Sequence, residues 1–344
     1  MKNPFWNAEQ RRVRALWRLL LQSLLFFVLA SILSGLALLA GLSIAFASGR
    51  AMPSPADPEF AQKLTELAIG DPFVGVLFML GSLVSIFVSV WAAGKVLDRR
   101  PLADFGFHFS RRWWADLGFG LGLGAVLMVA IFCVELAAGW VTVSGTFQSP
   151  RGPFGIAILV ALVQFVGVGI QEELLSRGYH LRNMAEGLNL PSIGAHGALL
   201  LGYAGSSAVF GLLHAANPNA SIVSTINLVV AGLFLGLGYV LTGELAIPIG
   251  MHITWNFFQG NVFGFPVSGG PSTTTFIAIE QGGPELWTGG AFGPEAGLMG
   301  LLAIGLGSLL TIAWVRRQYG RAELQERLAQ YTRPLLTTRP TPEP

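Results

Sequence analysis

Three short stretches of an otherwise apolar chain carry side chains that could act on a polar bond. They are "QEELLSR" with Glu172, Glu173 and Arg177, "FGLLH" with Phe210 and His214, and "HITWN" with His252 and Asn256. On a helix Glu173 and Arg177 stand four apart with the acid first, the favourable order for an ion pair. Glu172 is turned about 100° from Glu173, so Arg177 cannot readily serve both. That leaves Glu172 as an unpaired carboxylate in low-dielectric surroundings, the setting in which a general base is tuned. His252 and Asn256 lie one turn apart and offer two hydrogen-bond donors in one direction, which suits an oxyanion. His214, one turn after Phe210, could hold a water. Each group has a plainer explanation: a capped helix end, a structural histidine, or a polar pair joining two helices for about 1 kcal/mol. Three separate segments carrying them together supply the parts of a hydrolytic site.

Other chemistries fit less well. His214, His252 and a glutamate could form a two-histidine, one-carboxylate zinc site, but "HExxH" is missing and no two histidines stand four apart. No metal and no cofactor is therefore expected. Ser176 lacks the "GxSxG" setting of a serine nucleophile, and the single cysteine, Cys133, has no marked partner. The glycines of "GFGLGLG" (Gly118, Gly120, Gly122, Gly124), with Gly232 and Gly236, have neither a preceding strand nor an acidic ribose partner. They are expected to let membrane helices approach closely.

These residues must be positioned by helices in lipid. Hydrophobic residues make up 52% of the chain and charged residues 12%, about half the charge of a soluble domain. The expected fold class is all-α, a polytopic transmembrane helical bundle of about eight spans enclosing an intramembrane polar cavity. The spans fall near 18–47, 73–97, 114–139, 154–176, 196–216, 221–242, 244–264 and 294–315. Four regions follow: a three-span portion (1–153), a core with the three motifs (154–264), an outer loop with the last span (265–317), and a tail (318–344). Basic residues at the N-terminus, around 95–112, at Arg182 and in the tail fall on one side of eight crossings. Only Arg50, Lys63 and Arg151 fall on the other. The positive-inside rule then places both termini in the cytoplasm, in the cell membrane for a bacterial protein. The net charge of +2 reports this topology and not nucleic-acid binding.

Several features take bland readings. The first apolar run is about twice a signal-peptide core, so it reads as an uncleaved anchor despite the "AFAS" that follows. Glu135 is expected to snorkel at its span's outer end, and His108, His180 and His196 to be interfacial. "NAS" at Asn219 is a chance-level sequon. The Gly- and Pro-rich connection 265–293 reads as a folded loop shielding the outer side. The tail reads as a short amphipathic helix, "AELQERLAQY", with a disordered end, solvated and not a functional arm.

In order, "EELLSR", "FGLLH" and "HITWN" fit EExxxR, FxxxH and HxxxN. The chain here resembles the CPBP family of intramembrane glutamic endopeptidases, which includes type II CAAX prenyl proteases and bacteriocin-processing proteins. The resemblance covers about 154–264, with weaker flanks in "RRPLADFGF" and "GPEAG". It implies a metal-independent peptidase in which Glu172 activates water, His214 helps hold that water, and His252 with Asn256 stabilises the oxyanion. Glu173, Arg177 and Phe210 take supporting positions. The implied partners are the bilayer and a peptide or membrane-protein substrate, lipidated in part of the family. Two other functions stay open: a non-catalytic scaffold or immunity-type partner, and a proton-coupled transporter using the same residues as a relay. Depth poses a difficulty. If every span crosses fully, His214 lies about 10 Å deeper than Glu172 and His252. They meet only if the fifth helix tilts, or enters late after an interfacial segment near 178–195.

Overall fold

Apolar runs of this length dictate helices, because backbone amides in hydrocarbon must be bonded within their own segment. The computed structural model describes residues 3–69, 72–150 and 152–331. In chain order the elements are β1 (Trp6–Asn7), β2 (Arg12–Val13), α1 (Ala15–Ala47), α2 (Phe60–Ile69), α3 (Pro72–Ala93), α4 (Arg111–Ala137), β3 (Val141–Gln148), α5 (Phe154–Glu173) and α6 (Arg182–Leu188). They continue with α7 (Gly194–Leu213), α8 (Ile222–Thr242), α9 (Ala246–Phe257), β4 (Thr275–Gln281), α10 (Glu285–Thr288) and α11 (Leu298–Tyr319). The protein is an all-α polytopic bundle with two small two-stranded sheets, β1–β2 and β3–β4, both antiparallel.

Seven helices among the described residues are long and apolar enough to cross a membrane. The eighth expected span is different in kind. Over 244–264 the chain forms only the twelve residues of α9, extended by a π-helical turn, Phe258–Val262. Nearly every α9 side chain is buried in protein and not presented to lipid. It runs parallel to α4: Gly120 faces Ile247 and Met251, Gly124 faces Met251 and Trp255, and Phe132 stacks on Phe263 at 4.3 Å between ring centroids. A Cβ on Gly124 would stand 2.5 Å from the Met251 carbonyl oxygen, so this approach needs glycine. Gly118 and Gly122, on the other face of α4, touch nothing, so only half of that glycine run serves packing. Gly232 and Gly236 do pack, against Ser207 and Tyr203 of α7.

Two helices continue past their expected ends. After Glu173 the chain passes through a π-helical stretch, Leu174–Leu181, directly into α6, giving one apolar helical run from Phe154 to Leu188. The expected interfacial segment at 178–195 is therefore largely helix, with a short turn before α7. Its polar residues are drawn inward by partners. Glu186 receives Arg12 (2.7 Å), Arg18 (3.2 Å), Arg100 (2.5 Å) and Arg182 (3.5 Å), all with nearly dry side chains. Arg18 also meets Asp98 at 2.7 Å, and Tyr179 donates to that carboxylate at 2.9 Å.

The tail departs from its expectation too. Glu326–Ala329 is a single 3₁₀ turn, with Leu328 and Ala329 buried. Residues 324–331 form a strap and not a solvated end. Gln325 N–H donates to the Val240 carbonyl, Asn189 donates to the Ala329 carbonyl, and Arg12 lies 3.5 Å over the Tyr331 ring. The "TRPTPEP" end lies outside the described residues. These contacts put Arg12, the 98–106 turn, the α6–α7 turn, the α8–α9 turn and the strap on one face. The β3–β4 pairing puts the middle of the 265–293 loop beside β3 on the other.

Candidate active site

Each motif rides on an element that fixes its direction. The Arg177 guanidinium meets Glu173 Oε1 at 2.8 Å across the start of the π-helical stretch, with neither side chain exposed. Its other arm donates to the Gly232 carbonyl of α8 at 2.9 Å, and its face lies 4.5 Å over the Phe210 ring of α7. Arg177 thus ties three helices together at the level of the site. Glu173 also takes the Nδ1 of His252 at 2.7 Å. With Nδ1–H held by the carboxylate, Nε2 of His252 faces the other way, 3.9 Å from Glu172 Oε2.

His214 ends α7, and its Nδ1 donates to the Phe210 carbonyl at 2.8 Å. A carbonyl can only accept, so the Nε2 of a neutral His214 carries the lone pair. That nitrogen also lies 3.9 Å from Glu172 Oε2. The depth difficulty resolves through helix length. The run carrying Glu172 continues about 24 Å to Leu188 before turning, and α7 climbs back roughly 30 Å to His214 at about 1.5 Å per residue. No tilt of α7 is required.

Glu172 is the least covered of the charged groups here, 29% exposed, and it opens into a cavity of about 450 Å³. His214, His252, Asn256 and Phe210 line the same cavity. Phe26, Ile86, Phe165 and Val168 give the cavity an apolar wall on the α1–α3–α5 side. All seven residues singled out from the sequence are brought together: five line the cavity, while Glu173 and Arg177 stand behind it as supports. Among the described residues, no group of three or more His, Cys, Asp or Glu is spaced to hold a metal ion.

Five polar residues that reasoning from sequence did not single out share the cavity: Ser82, Gln171, Asn217, Ser268 and Glu295. Only "GPEAG" carried a signal, as a weak flank. Glu135 is corrected: it is fully buried, with neither carboxylate oxygen hydrogen-bonded, so it does not reach water by snorkelling. His108 and His196 are exposed as expected, paired with Glu244 and Glu326, whereas His180 is half-buried within the π-helical stretch.

Residues 154–258 match the family described as type II CAAX prenyl endopeptidase Rce1-like. Over this segment the chain is similar to that family. The match contains all three motifs and the helices that bring them together. No curated protein and no solved structure matches the chain. The seven apolar helices make this a multi-pass membrane protein, and the matched segment is similar to CAAX-type endopeptidases.

Proposed function

We propose that the protein hydrolyses peptide bonds within the membrane by general-base attack of water, with Glu172 as the base. One observation carries this reading: two imidazoles, each anchored through Nδ1, point Nε2 at the same oxygen of Glu172 from 3.9 Å. Such a gap is too long for a hydrogen bond and suits a water bonded to both partners. In the proposed sequence Glu172 takes a proton from that water as its oxygen attacks the peptide carbonyl. The His214 Nε2 lone pair accepts the water's second hydrogen bond and fixes its direction. The carbonyl oxygen becomes negative facing Asn256 and, when the ring carries both protons, His252 Nε2–H. Glu172 then returns the proton to the leaving amine.

A positioned base contributes about 10²–10⁴-fold and each oxyanion donor about 3 kcal/mol. Glu173 and Arg177 hold His252 and do not touch the reacting atoms. The preference of basic residues for the face carrying the strap supports cytoplasmic termini.

Quantitative mass spectrometry of peptide termini, in membranes of cells expressing the wild type or Glu172→Gln, tests this without presuming a substrate. Glutamine keeps size and polarity but cannot accept the proton. Products that vanish in the variant and persist under chelator are expected. Identical termini at equal protein abundance would instead assign the fold a scaffold or partner role.

A further inference from the structure

Glu295 is a second carboxylate on the wall of the cavity, and the proposed mechanism leaves it unused. It sits in the 3₁₀ turn Pro294–Ala296, is 4% exposed, and lies outside the membrane-crossing helices. Its Oε1 accepts from Ser268 N–H at 2.6 Å and from Ser268 Oγ–H at 3.0 Å, and its Oε2 accepts from Gln259 Nε2. None of these partners titrates, and no cation pairs with it among the described residues. Burial accordingly raises the Glu295 carboxyl above its ordinary value. Three donors converge on two oxygens, which a carboxylate can satisfy and a carboxamide, with one acceptor oxygen, cannot.

The bonds lead towards the site. The Ser268 carbonyl accepts from Asn217 Nδ2 at 3.0 Å, and Asn217 N–H donates to the His214 carbonyl at 3.1 Å. Beside this path Asn219 Nδ2 donates to the Gly269 carbonyl at 3.0 Å. Gly269 N–H donates to the Phe292 carbonyl at 2.8 Å. Ser268 and Asn219 hold left-handed backbones (φ 46° and 58°), a conformation uncommon for residues other than glycine and more so for serine than for asparagine. Gly269 (φ 84°) lies against the Pro218 carbonyl, where any Cβ would collide. The two loops meet in a conformation that their own residues do not favour, and Glu295 supplies the acceptors that hold it.

We propose that Glu295 is a positioning residue. Through Ser268 and Asn217 it clamps the 214–219 turn, and with it His214 Nε2, against Glu172, and it closes the outer end of the cavity. This rests on the reading of the site given above. Because α7 stops at His214, nothing helical fixes the following turn, and the clamp takes the place of a longer helix.

The test uses full-length protein in lipid nanodiscs, with amide hydrogen exchange as the first readout and cleavage as the second. The substrate is a synthetic peptide spanning a site found by the termini comparison. Glu295→Ala and Gly269→Ala break the clamp from opposite sides by different chemistry. Both should raise exchange at 214–220 and 266–270 at least about tenfold, with no change at 172–188. Both should lower kcat about tenfold or more with KM within about twofold, since displacing one group by about 1 Å suffices for such losses. Glu295→Gln, which keeps one acceptor, should fall between, and it carries the test if the alanine variant fails to fold. Unchanged exchange at 214–220 overturns the clamp. Raised exchange with unchanged kcat overturns the positioning role. If wild type and Glu172→Gln give identical termini, the site reading fails and the positioning role with it, while exchange still decides whether Glu295 holds the loops.

Discussion

Two clusters of buried charge lie on the same helical run, from Phe154 to Leu188, and they are built on opposite principles. Around Glu186 four guanidiniums surround one carboxylate, a second carboxylate, Asp98, takes Arg18, and the side chains are almost dry. Around Glu172 the pairing is incomplete. Glu173 absorbs Arg177 and His252, leaving Glu172 with two imidazoles beyond hydrogen-bond distance and an open cavity. A cluster in which every carboxylate is paired fixes the relative placement of α1, α6, the 98–100 turn and the strap, although several guanidinium nitrogens in it lack a hydrogen-bond partner. An incompletely paired one leaves a carboxylate free for the proton transfer proposed above. Incomplete pairing of buried charge costs stability, which is why such a group is a candidate for chemistry.

The contrast can be broken by swapping the demand on each cluster. Glu172→Gln should lower cleavage about 10³-fold or more while leaving the melting temperature within about 2 °C, because that carboxylate stabilises no partner. Glu186→Ala should do the reverse. Stranding buried guanidiniums costs about 3–5 kcal/mol, read as a large fall in melting temperature, with cleavage by the surviving folded fraction near normal. If Glu186→Ala melts like the wild type, the inner cluster is not the anchor described here.

Finer changes sharpen the comparison. Asn256→Ala should cost about 10²-fold in kcat with little change in stability; an effect confined to KM would take Asn256 out of the oxyanion role. Tyr331→Leu removes the ring lying 3.5 Å from Arg12 and 5.3 Å from Arg100 and should lower stability by about 1 kcal/mol. The smallest effect expected is a pH dependence. Burial raises the Glu295 carboxyl, so its contribution to stability is fully present below the ordinary carboxylate range and is lost as pH rises through the raised value. Wild-type stability should fall across that interval, and Glu295→Gln should lack that part of the slope.

Much of the site was legible because it is local. Glu173 and Arg177 pair at the helical spacing that their positions imply, and His252 and Asn256 line one cavity from one turn apart. Other expectations failed where contacts come from far along the chain. The 178–195 stretch looks interfacial by composition, yet its charges are neutralised by Arg12, Arg18 and Arg100, more than 80 residues away, and it stays helical. Glu135 looks free to snorkel, yet in the folded chain it is fully buried. The tail pattern suits an amphipathic helix, but backbone bonds to Val240 and side-chain bonds to Leu241 and Thr242 draw it into an extended strap.

By itself the sequence determined that the protein lives in lipid, which helices carry its polar residues, and the chemistry those residue types allow. These follow from hydropathy and from spacing of a few residues, quantities that any local window contains. Tertiary structure alone decided that two histidines from different helices face one oxygen of Glu172, that α9 packs inside the protein, and that Glu295 lines the same cavity. Each depends on where chains distant in sequence meet, and meeting is set by close packing and by pairing of buried charge, which no local pattern records.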